Sequence, residues 1–202
     1  MEIYNDININ QLKSADTSYP ILTLLANRWS PRMFADKAVM RRELMALLEA
    51  ARWAASSSNE QPWRFVYAFR GSHAYEKIFS CLSKFNQKWV GNAPILMITA
   101  IKEQFNSGKA NYHALHDLGL AAGNMAVQAQ SMGIALHHMA GVDWKKAQEL
   151  LGVPDGFHVA TAIAVGYYGG DPSALPDELE ETELTKRDRK PLEEIAIEGA
   201  WW

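Results

Sequence analysis

The stretch Arg28-Trp29-Ser30-Pro31-Arg32 sets two guanidinium groups and a hydroxyl at alternate positions. Pro31 disfavours helical geometry at Ser30, so the stretch is expected to run extended. Alternate side chains then share a face, and Arg28, Ser30 and Arg32 point the same way. Two guanidinium forks flanking a hydroxyl suit an oxygen-rich anion such as a phosphate monoester, because each fork donates paired, charge-assisted hydrogen bonds. A solvated basic turn would have the same composition.

Two further arginines, Arg187 and Arg189, fall in a run of four basic residues in five over 186–190. Between the two basic segments lies a polar corner, Ser56-Ser57-Ser58-Asn59-Glu60-Gln61-Pro62-Trp63. The amides of Asn59 and Gln61 can both donate and accept at the edge of a heterocycle. One phosphorylated, planar ligand accounts for all three segments, whereas a general basic surface accounts for two.

Other chemistries lack their residues. The chain has no G-x-x-x-x-G-K-S/T loop and no G-x-G-x-x-G turn, the fingerprints of phosphate and dinucleotide loops. His113 and His116 have helical i,i+3 spacing but no third ligand, and His137 and His138 are adjacent, so no metal site is expected. Ser56, Ser57 and Ser58 lack the G-x-S-x-G elbow of a hydrolase. Cys81, the only cysteine, has no basic neighbour to activate it and reads as a small buried hydrophobe. A single cysteine allows no internal disulfide, which points to a reducing compartment.

With 202 residues, 48% hydrophobic and 21% charged, the chain is long enough for one well-developed core, and a single domain over 1–202 is expected. A net charge of -3 argues against a protein built to coat nucleic acid. The first twenty residues do not have the pattern of a secretory signal, and the apolar runs 93–101 and 159–168 are too short to span a bilayer. A cytoplasmic protein without membrane contact is expected.

The elements that must position these residues follow from periodicity. Residues 21–27 are a short helix that ends before the arginines. Residues 40–55 form a strong helix, with Leu44, Leu47, Leu48 and Ala51 at three- and four-residue spacings. Residues 63–69 read as a strand, 74–85 as a helix, and 94–101 as a strand apolar enough for a central position. The small-residue helix 112–132 stops at Gly133, Asp143 caps a helix over 144–151, and 159–168 is another strand. Residues 171–185, acidic and punctuated by proline, read as an exposed excursion.

In this order the motifs resemble the FMN-dependent nitroreductase family. The resemblance rests on Arg28-Trp29-Ser30-Pro31-Arg32-Met33-Phe34, on Ala55-Ser56-Ser57-Ser58-Asn59-Glu60-Gln61-Pro62-Trp63, on a turn at Met132-Gly133-Ile134-Ala135, on Gly141-Val142-Asp143, and on Arg187-Asp188-Arg189-Lys190-Pro191-Leu192-Glu193-Glu194. It covers about residues 20–197. It implies an α+β fold, a central, mainly antiparallel sheet flanked by helices. An N-terminal lead-in of about 1–18 precedes it. A C-terminal tail of about 186–202 embraces a second subunit, with 193–197 exchanged as an edge strand.

It implies FMN at the interface of a homodimer. Arg28 and Arg189, helped by Arg187, would hold the phosphate, with Trp29 in the same segment. Ser30 would touch the phosphate or ribityl region, and Arg32 the pyrimidine side. Asn86 would meet the flavin edge, and His138, Met139, Ala140 and Gly141 would pass close to the isoalloxazine. Ser56, Ser57, Asn59 and Gln61 would come from the other subunit. The implied activity passes electrons from NADPH or NADH to a nitro compound, quinone or activated alkene by a ping-pong mechanism, with no side chain assigned as nucleophile. An FMN-binding sensor or structural homodimer would need the same binding residues. The chain departs from the family pattern at Ala55, where proline is usual, at Pro31, which removes a backbone donor, and at Ala140, where well-known members carry glutamate.

Overall fold

A computed structural model describes residues 8–201. Residues 1–7 of the expected lead-in and Trp202 of the closing tryptophan pair lie outside the described residues. The helices are α1 (Ile9–Leu12), α2 (Thr23–Asn27), α3 (Arg41–Arg52), α4 (His73–Ser80), α5 (Lys84–Gln87), α6 (Ala114–Ser131), α7 (Trp144–Leu150) and α8 (Asp177–Leu184). The strands are β1 (Trp63–Phe69), β2 (Ile95–Lys102), β3 (Ile134–Met139) and β4 (Phe157–Tyr167). They form one antiparallel sheet in the order β1-β2-β4-β3, the mixed α+β architecture that the sequence implies.

Side-chain alternation divides the core into two layers. Leu96, Ile98, Ala162, Ala164 and Ala135 face one side, against α4, α7 and the Leu175 and Leu179 side chains around α8. Ile95, Met97, Ile163, Val165 and Leu136 face the other, against Leu44 and Leu47 of α3 and Met125 of α6. Because both faces are covered, β2 is buried along nearly its whole length, as its unbroken apolarity predicts. The buried stripe Leu44, Leu47 and Ala51 holds α3 on the sheet, and Glu43 accepts from the Met40 N–H at 2.7 Å to close its first turn. α6 ends at Gly133, whose φ of +69° is the left-handed stop, and Asp143 caps α7 by accepting from the Lys146 N–H at 3.0 Å.

Three expectations are corrected. The helix over 74–85 breaks after Ser80: Leu82 bridges to Val142, the Ser83 N–H donates to the Gly141 carbonyl, and Ser83 then caps α5. The turn at 132–135 continues directly into β3, which periodicity misses because both of its faces carry apolar residues. Residues 171–185 are not an exposed excursion: α8 lies there, with Leu175, Leu179 and Glu183 buried on one four-residue repeat. For 193–197 the expected neighbour is a second subunit; in the single chain Leu192–Glu194 is a 3-10 turn opened by Pro191. Among the described residues no helix is long and apolar enough to cross a membrane.

Candidate functional site

The backbone after α2 turns extended at Arg28 and runs as irregular chain to Phe34, which bridges Tyr168 at the end of β4. A buried stretch of irregular backbone needs partners for its N–H and C=O groups, and here side chains supply them. His137 Nδ1 lies 2.9 Å from the Pro31 carbonyl, which fixes Nδ1–H as the donor, since a carbonyl only accepts. The His137 ring packs on Trp89 with centroids 4.4 Å apart. Burial drives the pKa of His137 down to about 4, so the ring is neutral. The Tyr168 hydroxyl accepts from the Trp29 N–H at 3.3 Å and donates to Gln130 at 2.6 Å. Asn92 donates to the Arg32 carbonyl at 2.9 Å and accepts from the Phe34 N–H at 3.1 Å.

The charges on this segment are uneven. Arg187 donates to the Arg28 carbonyl at 2.6 Å and also to the Ala26 carbonyl. Burial lowers the pKa of Arg187, and the Arg28 and Arg189 charges lower it further, so three guanidinium groups sit close enough to repel one another. Arg28 reaches only the Ser30 hydroxyl, at 3.5 Å, and among the described residues no carboxylate pairs with it. Arg189 is exposed and donates to the Asp188 carbonyl beside it. Among the described residues the cluster holds more positive charge than it has partners for, a setting that suits an anion.

Beside the cluster, β3 runs out through His138 and Met139 into Ala140 and Gly141. His138 reaches solvent, yet the protein on its flanks and, second to that, the Arg28 charge hold its pKa below the usual histidine value. Buried Asn86 donates to the Gly141 carbonyl at 3.1 Å. A Cβ at Gly141 would come within 2.6 Å of Ser83 Oγ and 2.8 Å of Asn86 Nδ2, so only glycine lets these segments meet. Among the described residues the Ala140 and Gly141 N–H groups have no backbone acceptor.

The remaining sequence-predicted residues are elsewhere. Ser56, Ser57, Asn59 and Gln61 lead directly into β1, at the sheet margin opposite β3. Ser58, Asn59 and Gln61 all have φ near +50°, a left-handed strain of about 1–3 kcal/mol per residue that persists only under surrounding constraint. Part of that constraint comes from buried Asp117, which accepts from the Ser57 N–H at 3.1 Å, and from Ser56 Oγ, which accepts from the Gln61 N–H at 3.0 Å. A cavity of about 250 Å³ opens beside this corner, lined by Ser56, Ser57, His113, His116 and Leu120. Sheet order therefore brings Arg28, Ser30, Arg187, Asn86 and the 138–141 run to one margin and the polar corner to the other.

Residues 25–167 match the sequence profile of the nitroreductase family. The chain belongs to the nitroreductase family. The crystal structure of an oxidoreductase containing FMN superposes on this nitroreductase with a TM-score of 0.86 at 37% identity, covering 93% of this chain and 96% of that one. An uncharacterized 15.4 kDa protein of Mycolicibacterium smegmatis is 29% identical over 145 residues, 68% of this chain and 97% of that protein. The major NAD(P)H-flavin oxidoreductase of Aliivibrio fischeri is 35% identical over 74 residues, 35% of this chain and 34% of that protein.

Two residues that hold the arginine segment and α8 in place escape sequence reasoning. Glu183 accepts from the Arg32 N–H at 2.7 Å and the Met33 N–H at 3.3 Å, but sits in an acidic run that looks solvated. The four-residue spacing Leu175, Leu179, Glu183 was the available signal that it faces inward. Buried Lys13 donates to the Thr182 and Thr185 carbonyls at the end of α8, and nothing in its local sequence marks it.

Proposed function

We propose that this nitroreductase passes electrons from NADPH or NADH to a nitro compound, a quinone or an activated alkene in two half-reactions at one pocket, with FMN as its cofactor. The observation that carries this reading is the convergence of Arg28, Arg187 and Arg189 without a matching carboxylate, next to the open run His138–Gly141. The donors present fit FMN. Among the described residues Arg28 has no competing acid, the buried Nε atoms of Arg32 and Arg187 have no acceptor, and the Ala140 and Gly141 N–H groups have no backbone acceptor. Bound FMN supplies the electron chemistry, taking two electrons from reduced nicotinamide and passing them to the second substrate.

The chain's own groups bind and orient. Arg28, Ser30 and Arg189 hold the phosphate, and Arg187, which spends both terminal nitrogens on the Ala26 and Arg28 carbonyls, fixes the backbone that presents Arg28. Trp29 anchors the same segment through Tyr168. Arg32 offers positive charge to the pyrimidine side, where it favours the charge that develops on reduction. Asn86 would meet the flavin edge, and the 138–141 main chain, with small Ala140, would line the ring.

Ser56, Ser57, Asn59 and Gln61 complete the site from a second copy, because within one chain they stand at the far margin of the sheet. The face available for that copy includes Leu115 and Leu120 of α6, both exposed, with Gly119 and Gly123 between and after them, where an added Cβ would meet nothing. Small residues on an apolar helix face let another backbone approach closely.

The test is direct. Purified protein should be yellow and release FMN on denaturation. Anaerobic mixing with NADPH or NADH should bleach the colour, and a panel of nitro compounds, quinones and alkenes should restore it. Bound FMN that neither nucleotide reduces would replace this reading with that of a flavin-binding sensor.

A further inference from the structure

We infer that Glu183 is a positioning residue for the phosphate site: from α8 its carboxylate holds the Arg32 and Met33 N–H groups, and with Arg187 it clamps the 26–33 backbone in the shape that aims Arg28 and Ser30 at the anion. The inference rests on the FMN reading given above.

The geometry separates this role from an ordinary ion pair. Glu183 is 2% exposed, and its closest contact is the 2.7 Å bond from the Arg32 N–H. The distance to the Arg32 guanidinium is longer, 3.7 Å, so the carboxylate chiefly organises backbone. A buried carboxylate is retained only where it is well hydrogen-bonded, and two main-chain donors together with nearby cations meet that need. Lys13 secures the other side of the lever. It donates to the Thr182 carbonyl, which otherwise takes only a long 3.4 Å bond from the Thr185 N–H, and to the Thr185 carbonyl of the C-cap, and so fixes the turn from which Glu183 projects.

The grips are distributed along the whole segment. Arg187 takes the carbonyls at 26 and 28, Tyr168 the N–H at 29, His137 the carbonyl at 31, and Glu183 the N–H groups at 32 and 33. Four of these six bonds come from Glu183 and Arg187 in the C-terminal part of the chain, across about 150 residues or more of sequence. An anion site must be held within about half an ångström of its working geometry, and here the segment that carries it makes no strand or helix of its own. Removing Glu183 leaves two buried N–H donors unpaired and frees the Arg32 end of the segment.

The experiment measures FMN affinity of reconstituted apoprotein by quenching of flavin fluorescence, with melting temperature read alongside. E183A is expected to weaken FMN binding by about tenfold or more, the scale set by unpairing buried donors. E183Q, which keeps an oxygen for both N–H groups, should recover most of that affinity. E183D, which keeps the charge but not the reach, should not, and it carries the test if E183A does not fold. Leu179→Ala, which loosens α8 packing but leaves the carboxylate, should lower the melting temperature with FMN affinity within about twofold of wild type. E183A added to R28A should weaken binding little further, because the clamp acts through Arg28. Wild-type affinity in E183A or E183D, or an L179A variant that loses FMN in step with E183A, overturns the inference. Wild-type apoprotein that takes up no FMN overturns the FMN reading itself.

Discussion

The imidazole of His137 and the carbonyl of Pro31, 106 residues apart in sequence, meet at 2.9 Å and tie the edge of the sheet to the arginine segment. That bond joins a regular element to an irregular one, so the placement of Arg28 and Ser30 follows that of β3. A neutral imidazole is part of the arrangement, since burial opposes its protonation.

A pH dependence follows. The folded pKa of His137 is about 4, below the ordinary 6.5, so the unfolded chain binds the proton more readily. The resulting stability is present above pH 6.5 and is lost as the pH falls toward 4, on the order of 3 kcal/mol at most. His138, also depressed, adds in the same direction. Melting temperature measured across this window should fall in the wild type and fall less steeply in H137Q. Equal slopes would show that His137 does not titrate as described.

Arg28→Ala should weaken FMN retention by about 1.5–3 kcal/mol, the value of hydrogen bonds to a charged group. Titration of apoprotein with FMN reads the change. An unaltered affinity would move Arg28 out of the phosphate site.

Gly141→Ala should destabilise the fold by about 1–3 kcal/mol, because the new methyl would overlap Ser83 Oγ and Asn86 Nδ2. Thermal unfolding of the variant checks this, and flavin content should drop with it as Asn86 is displaced. A melting temperature equal to wild type would mean that the two segments separate freely.

Deleting residues 192–202 tests the proposed tail. Leu192, Ile195 and Trp201 are exposed in the single chain, an apolar surface suited to docking on a second copy. The truncated protein, which keeps Arg187 and Arg189, should show a weaker dimer by sedimentation and less bound FMN. If dimer affinity, melting temperature and flavin content all match the full chain, the tail has no part in the assembly.

Much of the fold is legible because local signals and tertiary needs agree. The bounds of β1, the central place of β2, the stop at Gly133 and the Asp143 cap each follow from residue chemistry in a short window. The failures arise where distant partners decide. Ser83 leaves helical geometry because Gly141 offers it a carbonyl, which no window around Ser83 reveals. In α8, proline and five acids between 176 and 183 hide a buried stripe of Leu179 and Glu183. For the candidate site, the arginines and the polar corner stand out by composition, whereas Lys13, His137 and Glu183 become visible only as the partners of particular backbone atoms.

The grip of α8 on the arginine segment also sets an order of events during synthesis. Arg28 and Ser30 leave the ribosome early, but the Glu183 and Arg187 side chains that fix their backbone are made about 150 residues later. Contacts of such long range form late in folding, after the closure of the large intervening loop. A nascent chain that has finished β4 can assemble its sheet yet lacks the Glu183 and Arg187 bonds to the arginine segment. If this segment holds FMN as proposed, chains that stop short of residue 187 should accumulate without flavin.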